Sequence, residues 1–468
     1  WIAAFIATVS VGGVAVALNS WGQARELVYG ITDSEASVVF CDQQRFDFIE
    51  PQLESLNIPV VVVRPEKDIN SPNTTLLSDL LSSAAGKALP DVDIGPDDLA
   101  LMMYTSGTTG NPKGALSTHQ AVCQAMLAFE VAGYAQAMSN GEIITRMLEK
   151  GFEPCQLLAV PLFHVSGCHA VFMLSIPAGR KIVMLYKWDH KRALQLIERE
   201  RVTIVSAAPS MLMQMFESPE FDDADTASIC NIGGGGSATP PKAAKMMMDK
   251  VDNPYPGTGW GLTETNAIAA SFTGKAFVDK PHAAGFPNPV AQIEARNEHG
   301  EPSAPQEPGE LWIKSPTNIK EYWNKPEANA KDFKDGWFNS GDIGYFDEDG
   351  FLVLSDRAKD MIIRGGENIY PAEIEAVLYD HPDIKDVSVF GAPDPRLGEQ
   401  VAACVQPKPG VHIDKAAVKA HCAEHMARFK VPEYIWVHVD DLPRNASGKV
   451  LKKDLREQLV KNLDLEAD

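Results

Sequence analysis

The 468-residue chain is short of positive charge, and this deficit restricts the partners it can bind. It has 42 Lys and Arg against 63 Asp and Glu, which gives a formal net charge of −21. Nucleic acid and anionic membrane surfaces are therefore disfavoured as main partners, because both would be repelled at long range. An anionic small substrate must instead be bound by local positive groups.

Paired cysteines, internal repeats and low-complexity tracts are also missing. The seven cysteines are scattered without a C-x-x-C pair, and their odd number allows no complete disulfide framework. This usage predicts a reducing, cytoplasmic location. The hydrophobic content of 45% is ordinary for a soluble globular protein, and the length suffices for two or more domains. The sequence leaves a homodimer open.

The opening segment "WIAAFIATVSVGGVAVAL" is uncharged, apolar and long enough to be a membrane span. Its two adjacent glycines, and the lack of a basic residue before it, favour a buried helix followed by a buried strand. We therefore expect no transmembrane segment.

Strands and helices alternate most clearly from 181 to 216. There "KIVML" predicts a strand, "DHKRALQLIERER" a helix with Ala193, Leu194 and Ile197 on one face, and "VTIVSAA" a second strand. Such βαβ units predict an α/β domain with a largely parallel sheet, whose ligands bind beyond the carboxyl ends of the strands. Residues 156–163, "QLLAVPLF", and 229–236, "ICNIGGGG", predict two more strand ends.

The pattern changes after residue 350. The stretch "DRAKDMIIRGGENIYPAEIEAVL" joins a charged turn, a short apolar strand, a glycine hairpin and a helix begun by Pro371. We therefore predict a large domain over 1–356 with distorted, parallel-rich sheets and packed helices, a hinge over 357–360, and a small α+β domain over 361–468.

The loop "YTSGTTGNPKG", 104–114, indicates a phosphate site, since glycines expose backbone N–H groups and the hydroxyls add further donors. It is not a Walker A loop, because Lys113 stands between Pro112 and Gly114. The alternative is a flexible surface linker. A lone lysine beside proline, just after the apolar run "LALMMY", argues against that alternative.

Several other stretches carry residues suited to nucleotide chemistry. "GWGLTE", 259–264, offers the flat ring of Trp260 for stacking on a base and the carboxylate of Glu264 as a ligand for Mg²⁺. Asp342 in "NSGD" and Arg357 in "SDR" have the acceptors and donors needed to bind a ribose, and "PRNASGKVLK" presents Lys449 on a turn. Taken singly, Asp342, Arg357 and Lys449 are more typical of a turn or a surface charge. "GGGGSAT" meets the relaxed G-x-G-x-x-A dinucleotide pattern only weakly, since no acidic residue follows at the required distance.

Taken together, in this order and spacing, these stretches resemble the AMP-forming adenylating superfamily of acyl-CoA synthetases, nonribosomal-peptide adenylation domains and luciferases. The resemblance runs through nearly the whole chain. It implies that the threonine-rich loop covers the β- and γ-phosphates of ATP, that Thr105 and Glu264 hold Mg²⁺, and that Leu354 packs beside the ribose. The ATP-binding residues it implies are Thr105, Ser106, Gly107, Thr108, Thr109, Lys113, Gly235, Gly236, Ser237, Ala238, Gly259, Trp260, Gly261, Leu262, Thr263, Glu264, Asp342, Leu354, Arg357 and Lys449.

The resemblance also implies a two-step reaction with ATP, Mg²⁺ and coenzyme A. A carboxylate attacks the α-phosphorus of ATP to give acyl-AMP and pyrophosphate, and a thiol then attacks the acyl-AMP. The catalytic residues implied are Lys449, Glu264, Thr108 and His164. A mobile C-terminal domain would turn on Lys359, which brings Gly365 and Gly366 to the pantetheine channel. Members carry a further N-terminal segment, which we expect to be missing from the large domain of this sequence.

The substrate is expected to be a carboxylic acid other than an α-amino acid. Peptide-synthetase domains place an aspartate after the "PLF" strand to bind the substrate ammonium, whereas this chain has His164 there. Gly233 and Gly234 leave the acyl pocket unblocked, which favours medium- or long-chain fatty acids, with coumarate-like aromatic acids as the alternative. A luciferase-like oxygenase shares these motifs. A nucleotide sensor without catalysis is less consistent with the presence of Lys449 and Glu264.

Overall fold

The computed structural model describes residues 1–105, 112–236, 239, 241–252, 254–445 and 448–466. Short 3₁₀ turns cover Glu50–Gln52, Thr263–Thr265 and Arg428–Lys430, and a π-helix covers Cys168–Met173. The α-helices are α1 Ile2–Ser10, α2 Ala24–Asp33, α3 Gln43–Ile49, α4 Leu53–Leu56, α5 Leu77–Ala84, α6 His119–Ser139, α7 Gly141–Glu149, α8 Val165–Gly167, α9 His190–Glu200, α10 Pro209–Phe216, α11 Glu220–Asp223, α12 Pro241–Lys250, α13 Lys275–Asp279, α14 Pro326–Asp332, α15 Pro371–Tyr379, α16 Lys415–His425 and α17 Lys452–Glu466.

The strands are short in the first part of the chain and longer towards its end. They are β1 Ala15–Ala17, β2 Val39–Asp42, β3 Val60–Val63, β4 Thr74–Leu76, β5 Leu99–Thr105, β6 Lys113–Thr118, β7 Cys155–Leu158, β8 Lys181–Met184, β9 Ile204–Ala207, β10 Asn231–Gly234, β11 Tyr255–Trp260, β12 Ala270–Thr273, β13 Phe286–Pro287, β14 Gln292–Arg296, β15 Gly309–Lys314, β16 Glu321–Tyr322, β17 Phe333–Lys334, β18 Trp337–Phe346, β19 Leu352–Arg357, β20 Ile362–Arg364, β21 Glu367–Ile369, β22 Ile384–Asp394, β23 Gly398–Pro407 and β24 Tyr434–Val437.

A seven-stranded sheet in the order β13-β12-β11-β10-β9-β7-β8 forms the centre of the molecule. Its strands β7 to β11 run parallel, whereas β12 and β13 are antiparallel additions at one edge. Along β10 the side chains alternate: Ile232 and Gly234 are buried, and Asn231 and Gly233 are half-buried on the opposite face. One face of the sheet therefore packs into a hydrophobic core, and the other faces a cavity.

Three further sheets complete the part of the chain before residue 357. One joins β1-β5-β6-β16, a second joins β14-β15-β18-β17 with β19 paired to β18, and a third joins β2-β3-β4. After residue 361, β21-β20-β23-β22 and β24 form a separate sheet that α15 and α16 cover. The mixture of parallel-rich sheets, packed helices and a smaller C-terminal α+β unit is the predicted fold class.

Local expectations from the sequence are met. In α9 the side chains of Ala193, Leu194 and Ile197 are buried, as predicted for one apolar face. Pro371 begins α15, and Gly365 and Gly366 form the turn between β20 and β21. The opening segment folds as α1 followed by β1, and within the described ranges no helix has both the length and the apolar character needed to cross a membrane.

One detail of the βαβ prediction needs refinement. Strands β8 and β9 flank α9, yet they are not neighbours, because β7 lies between them. The division into a large domain over 1–356, a hinge over 357–360 and a small domain over 361–468 stays a prediction.

Candidate active site

The two ends of the threonine-rich loop lie side by side on neighbouring strands. Thr105 closes β5 and pairs in register with Lys113, which opens β6. The Nζ atom of Lys113 lies 3.1 Å from a carboxylate oxygen of Asp332 and 3.7 Å from the ring centroid of Tyr322. The predicted residues Ser106, Gly107, Thr108 and Thr109 lie outside the described residues.

Glu264 lies in the 3₁₀ turn that follows β11, and its side chain is buried. The hydroxyl of Tyr322 donates a 2.7 Å hydrogen bond to Oε1 of Glu264, and within the described residues no hydrogen bond reaches Oε2. Burial, followed by the charge of Glu264, raises the pKa of Tyr322, so its hydroxyl stays protonated and remains a donor. The Glu264 carboxylate is thus oriented with one oxygen left open.

The donor set around Glu264 fits Mg²⁺ bound largely through water and phosphate oxygens. Across the described ranges no group of three or more His, Cys, Asp or Glu side chains is arranged to hold a metal ion. Mg²⁺ is typically held by one or two protein oxygens plus substrate phosphates, and the oxygens of Glu264 and Thr105, which both line the cavity, are donors of the kind that this pattern requires.

A buried polar network that sequence reasoning missed fixes the backbone just after Glu264. Asn266 and Ala267 have φ values of 52° and 77°, which are uncommon for residues other than glycine. Oδ1 of Asn266 accepts hydrogen bonds from Ser117 and from Nε2 of His169, each 3.0 Å long, and its amide nitrogen donates to a backbone carbonyl. A Cβ on Gly261 would lie 2.2 Å from the carbonyl oxygen of Ala267, so this turn requires glycine at 261.

The predicted ribose-binding residues lie together. The indole N–H of Trp260 donates a 2.8 Å hydrogen bond to Oδ2 of Asp342, and Nε of Arg357 lies 3.0 Å from Oδ1 of the same carboxylate. Asp342 and Arg357 are register partners on β18 and β19, and Leu354 packs against the cluster that contains Trp260. The edge of the Trp260 ring is therefore held in place by the acidic group predicted for the ribose.

The glycine-rich wall follows β10. Gly233 and Gly234 end the strand, and Gly235 and Gly236 continue from it, with Gly236 at φ 84°, a conformation that favours glycine. These four glycines line the cavity beside the other predicted nucleotide residues Gly259, Gly261, Leu262 and Thr263. Ser237 and Ala238 fall outside the described residues.

Lys449 and His164 lie in the same cavity and influence each other. Burial, followed by the positive charge of Arg357, lowers the pKa of Lys449 to about 8. Burial, followed by the charge of Lys449, lowers the pKa of His164 to about 4. At neutral pH His164 is thus uncharged, while the half-buried Lys449 is mostly protonated and pairs with no carboxylate within the described part of the chain.

Close approach of two backbones delivers Lys449 to the cavity. A Cβ on Gly448 would lie 3.1 Å from Cβ of Ala208, and the hydroxyl of Ser210 donates a 3.3 Å hydrogen bond to the carbonyl oxygen of Gly448. The glycine at 448, with φ 83°, thus lets the turn before Lys449 press against the start of α10.

The predicted thiol-channel residues lie apart from this constellation, whereas the predicted hinge residue Lys359 lines the same cavity. Lys359 follows β19 in a turn, and burial lowers its pKa. Gly365 and Gly366, at the β20–β21 turn, are absent from the cavity lining around Lys449. In this orientation the structure therefore brings together the residues predicted for ATP and acid, and leaves those predicted for the thiol outside.

Contacts that hold the two parts of the chain in this orientation were also missed. Oδ2 of Asp356 accepts a 2.8 Å hydrogen bond from the N–H of Ala372 at the start of α15. Burial lowers the pKa of Lys452, but the charges of Glu375 and Asp356 outweigh it, so the net shift is upward. Nζ of Lys452 lies 2.7 Å from Glu375. The sequence alone gives no signal for these contacts, because the partners are far apart along the chain.

Comparisons with known proteins agree with this arrangement. The sequence profile of the AMP-binding enzyme family matches residues 1–323, and that of the AMP-binding enzyme C-terminal domain matches residues 373–449. The 2-succinylbenzoate–CoA ligase of Geobacillus kaustophilus is 36% identical over 438 residues, which are 93% of this chain and 81% of that protein.

A long-chain-fatty-acid–CoA ligase and a solved structure extend the match. The ligase, from Bacillus subtilis, is 32% identical over 484 residues, covering 96% of this chain and 82% of that protein. O-succinylbenzoate coenzyme A synthetase from Bacillus subtilis, in complex with ATP and magnesium ion, superposes with a TM-score of 0.75 at 30% identity, covering 95% of this chain and 84% of that one. The chain therefore belongs to the AMP-binding enzyme family, as an AMP-forming acyl-CoA synthetase with the ATP, magnesium and coenzyme A typical of that family.

Proposed function

We propose that this enzyme activates a medium- or long-chain carboxylic acid to its acyl-AMP and transfers the acyl group to coenzyme A, releasing pyrophosphate and AMP. The observation that carries the proposal is the convergence, in one cavity, of Lys449, His164, Glu264 and the Trp260–Asp342 pair. A half-buried cation, an oriented carboxylate and a ring that can stack on a base are what an adenylation site needs.

In the first step a carboxylate oxygen bonds to the α-phosphorus while the bond to the bridging oxygen of pyrophosphate breaks. No protein nucleophile takes part, so the chain contributes position and charge. The ammonium of Lys449 would reach the carboxylate and phosphate oxygens, and its partial burial would strengthen that interaction. Glu264 and Thr105 would hold Mg²⁺, which neutralises phosphate charge when bound.

The acid would enter from the end of the cavity marked by His164. Beyond it Gly233 and Gly257 are register partners on β10 and β11, and both line the cavity. Gly233 places no side chain on this part of the sheet, the glycine slot, and a Cβ there would meet only the backbone of Gly257, which supports an extended acyl chain. Neutral His164 stands at the entrance and contributes no charge that would repel Lys449.

An aromatic acid is the second candidate. The same glycine slot is flat, and the 36%-identical relative is named for a benzoate-containing acid. Both candidates share the reaction and differ only in what fills the slot.

The thiol step rests on a change of orientation. We propose that the chain turns at Lys359, so that Gly365 and Gly366 approach the acyl-AMP and leave room for a pantetheine arm. We also propose a reducing, cytoplasmic location, which is consistent with the seven free cysteines.

The proposal is tested by mixing enzyme, ATP and Mg²⁺ with alkanoic acids of increasing length and with hydroxycinnamic and benzoic acids. We expect acid-dependent pyrophosphate release in each productive case, and thioester only when coenzyme A is added. Pyrophosphate release without thioester, accompanied by oxygen consumption, would indicate a luciferase-like oxygenase. ATP binding without pyrophosphate release for any acid would indicate a sensor and refute the proposal.

A further inference from the structure

The far end of the acid slot is polar, although its middle is bare glycine. At this end, four residues that pair in register form one row across four neighbouring strands of the central sheet. They are Gln156 on β7, Ile204 on β9, Asn231 on β10 and Tyr255 on β11. All four line the cavity. Three of them carry polar side chains, so the cavity does not end in the apolar wall expected for a simple alkyl tail.

Arg180, just before β8, brings a cation to this row. Its Nη1 donates a 3.2 Å hydrogen bond to Oε1 of Gln156, which also accepts one from Ser175. Burial lowers the pKa of Arg180, and the more distant charge of Glu130 acts in the opposite direction. Arg180 forms no ion pair with a carboxylate of the described residues, so a half-buried guanidinium faces the cavity without a direct counter-charge.

One other polar atom of the row also lacks a well-formed hydrogen bond. The buried hydroxyl of Tyr255 makes no hydrogen bond of good geometry within the described residues, although Thr273 and Asn140 lie near enough to oppose the rise in its pKa that burial causes. Gln156 is 1% exposed, and the hydrogen bonds from Arg180 and Ser175 both reach its Oε1. Leaving such groups unpaired is costly, and a ligand that accepts hydrogen bonds would remove the cost.

We propose that this polar floor, defined as Gln156, Arg180, Asn231 and Tyr255, binds a second carboxylate at the far end of the substrate, so that the preferred acid is an α,ω-dicarboxylic acid. The inference rests on the proposed function, which it narrows. From Gly235 beside the reacting end to Asn231 the chain runs four residues of extended strand and turn, or roughly 13 Å. The two carboxylates should therefore lie on the order of 10 Å apart.

Glu130 on α6 also lines the cavity and sets how strongly the second carboxylate binds. Its charge opposes an incoming anion, whereas the Arg180 guanidinium offers paired donors that match a carboxylate. Removing the charge of Glu130 should therefore favour the diacid, and removing that of Arg180 should disfavour it. An alkanoic acid of equal length carries no such charge and serves as the internal reference.

The experiment compares kcat/KM for coenzyme A thioester formation with alkanoic, ω-hydroxy and α,ω-dicarboxylic acids of matched length, from adipic to dodecanedioic acid. The wild-type enzyme should prefer the diacid over the matched alkanoic acid by at least ~10-fold, the scale of a charge-assisted hydrogen bond. Arg180→Met should lower that ratio at least ~10-fold through the KM of the diacid, and Arg180→Lys should keep part of it. Glu130→Gln should raise it.

Arg192→Met is the matched control, since Arg192 is exposed on the outer side of α9 and away from the cavity lining. It should keep the wild-type ratio. A wild-type preference for the alkanoic or the ω-hydroxy acid would overturn the inference and leave the acid–CoA ligase standing. So would an unchanged ratio in a folded Arg180→Met enzyme. Pyrophosphate release with none of the acids would remove the proposed function and this inference together.

Discussion

The two ends of the acid cavity are built in different ways. At the nucleotide end most polar groups hold one another: Asp342 accepts from Trp260 and forms an ion pair with Arg357, and Glu264 accepts from Tyr322. At the far end Arg180 donates to Gln156 but forms no ion pair with a carboxylate of the described residues. Groups that saturate one another keep their geometry before a ligand arrives, whereas unpaired groups mark where a ligand must complete the site.

Lys449 is the exception at the nucleotide end, since it is half-buried and has no ion pair among the described residues. By this comparison we expect the cations of Lys449 and Arg180 to be paired by negatively charged groups of the substrate. Substitution of Lys449 should therefore have the largest effect of any single change at the nucleotide end.

We expect Lys449→Ala to slow adenylation by at least ~10²-fold, the scale for removing one preorganised donor. Acetylation of Lys449, to which the "PRNASGK" pattern of 443–449 is suited, should act in the same direction because it removes the same charge. Single-turnover pyrophosphate release measures the first step, and thioester formation from supplied acyl-AMP measures the second. Lys453→Ala, at an exposed position on α17, is the control. Equal loss in both steps would assign Lys449 a shared or structural role.

Lys359→Pro should separate the two half-reactions. Proline fixes φ near −65° and restricts Ala358, so we expect one orientation to be locked while both parts stay folded. Acid-dependent pyrophosphate exchange should persist, and thioester production should fall by at least ~10-fold. Lys359→Ala removes the side chain without restricting the backbone, so its thioester production should decrease far less. Wild-type thioester production by the proline variant would place the hinge elsewhere.

The pH dependence of adenylation should report the charge of Lys449. Its pKa is lowered to about 8, so the ammonium is present below that pH and lost above it. The single-turnover rate should therefore fall about tenfold between pH 7 and pH 9. Lys449→Arg keeps its charge throughout, so its profile should lack this decrease whatever its absolute rate. A decrease retained by the arginine variant would assign the titration to another group.

Tyr322→Phe should have the smallest effect, because Glu264 loses one hydrogen bond but stays in its buried 3₁₀ turn. The variant loses the hydrogen bond to Glu264 but keeps the aromatic ring beneath Lys113. We expect the Mg²⁺ concentration for half-maximal rate to rise about threefold to tenfold, the scale of one net hydrogen bond. Tyr186→Phe, at an exposed tyrosine, should leave it unchanged. An unchanged Mg²⁺ requirement in Tyr322→Phe would show that Glu264 is oriented without this contact.

Periodicity and turn chemistry predicted local structure well. The apolar face of α9, the start of α15 at Pro371 and the β20–β21 turn all follow from side-chain spacing and from proline and glycine geometry. The roles of Trp260 and Asp342 came from resemblance, and the structure shows that these two side chains are in contact.

Strand order and long-range partners were beyond sequence reasoning. Nothing in a βαβ pattern indicates that β7 inserts between β8 and β9, because that depends on which edges pair. Tyr322 reaches Glu264 across 58 positions, and Arg180 reaches Gln156 from a different strand. Such contacts arise from sheet register, which a linear pattern does not contain.

The buried apolar clusters have one further consequence for catalysis. In the described part of the chain each cluster lies wholly on one side of residues 355–361. The contacts that join the two sides include hydrogen bonds such as that from Ala372 to Asp356, for which water can substitute. Turning one side against the other therefore exposes no hydrophobic core. The free-energy difference between the two orientations should then be small, so that binding of acyl-AMP can change which orientation is preferred.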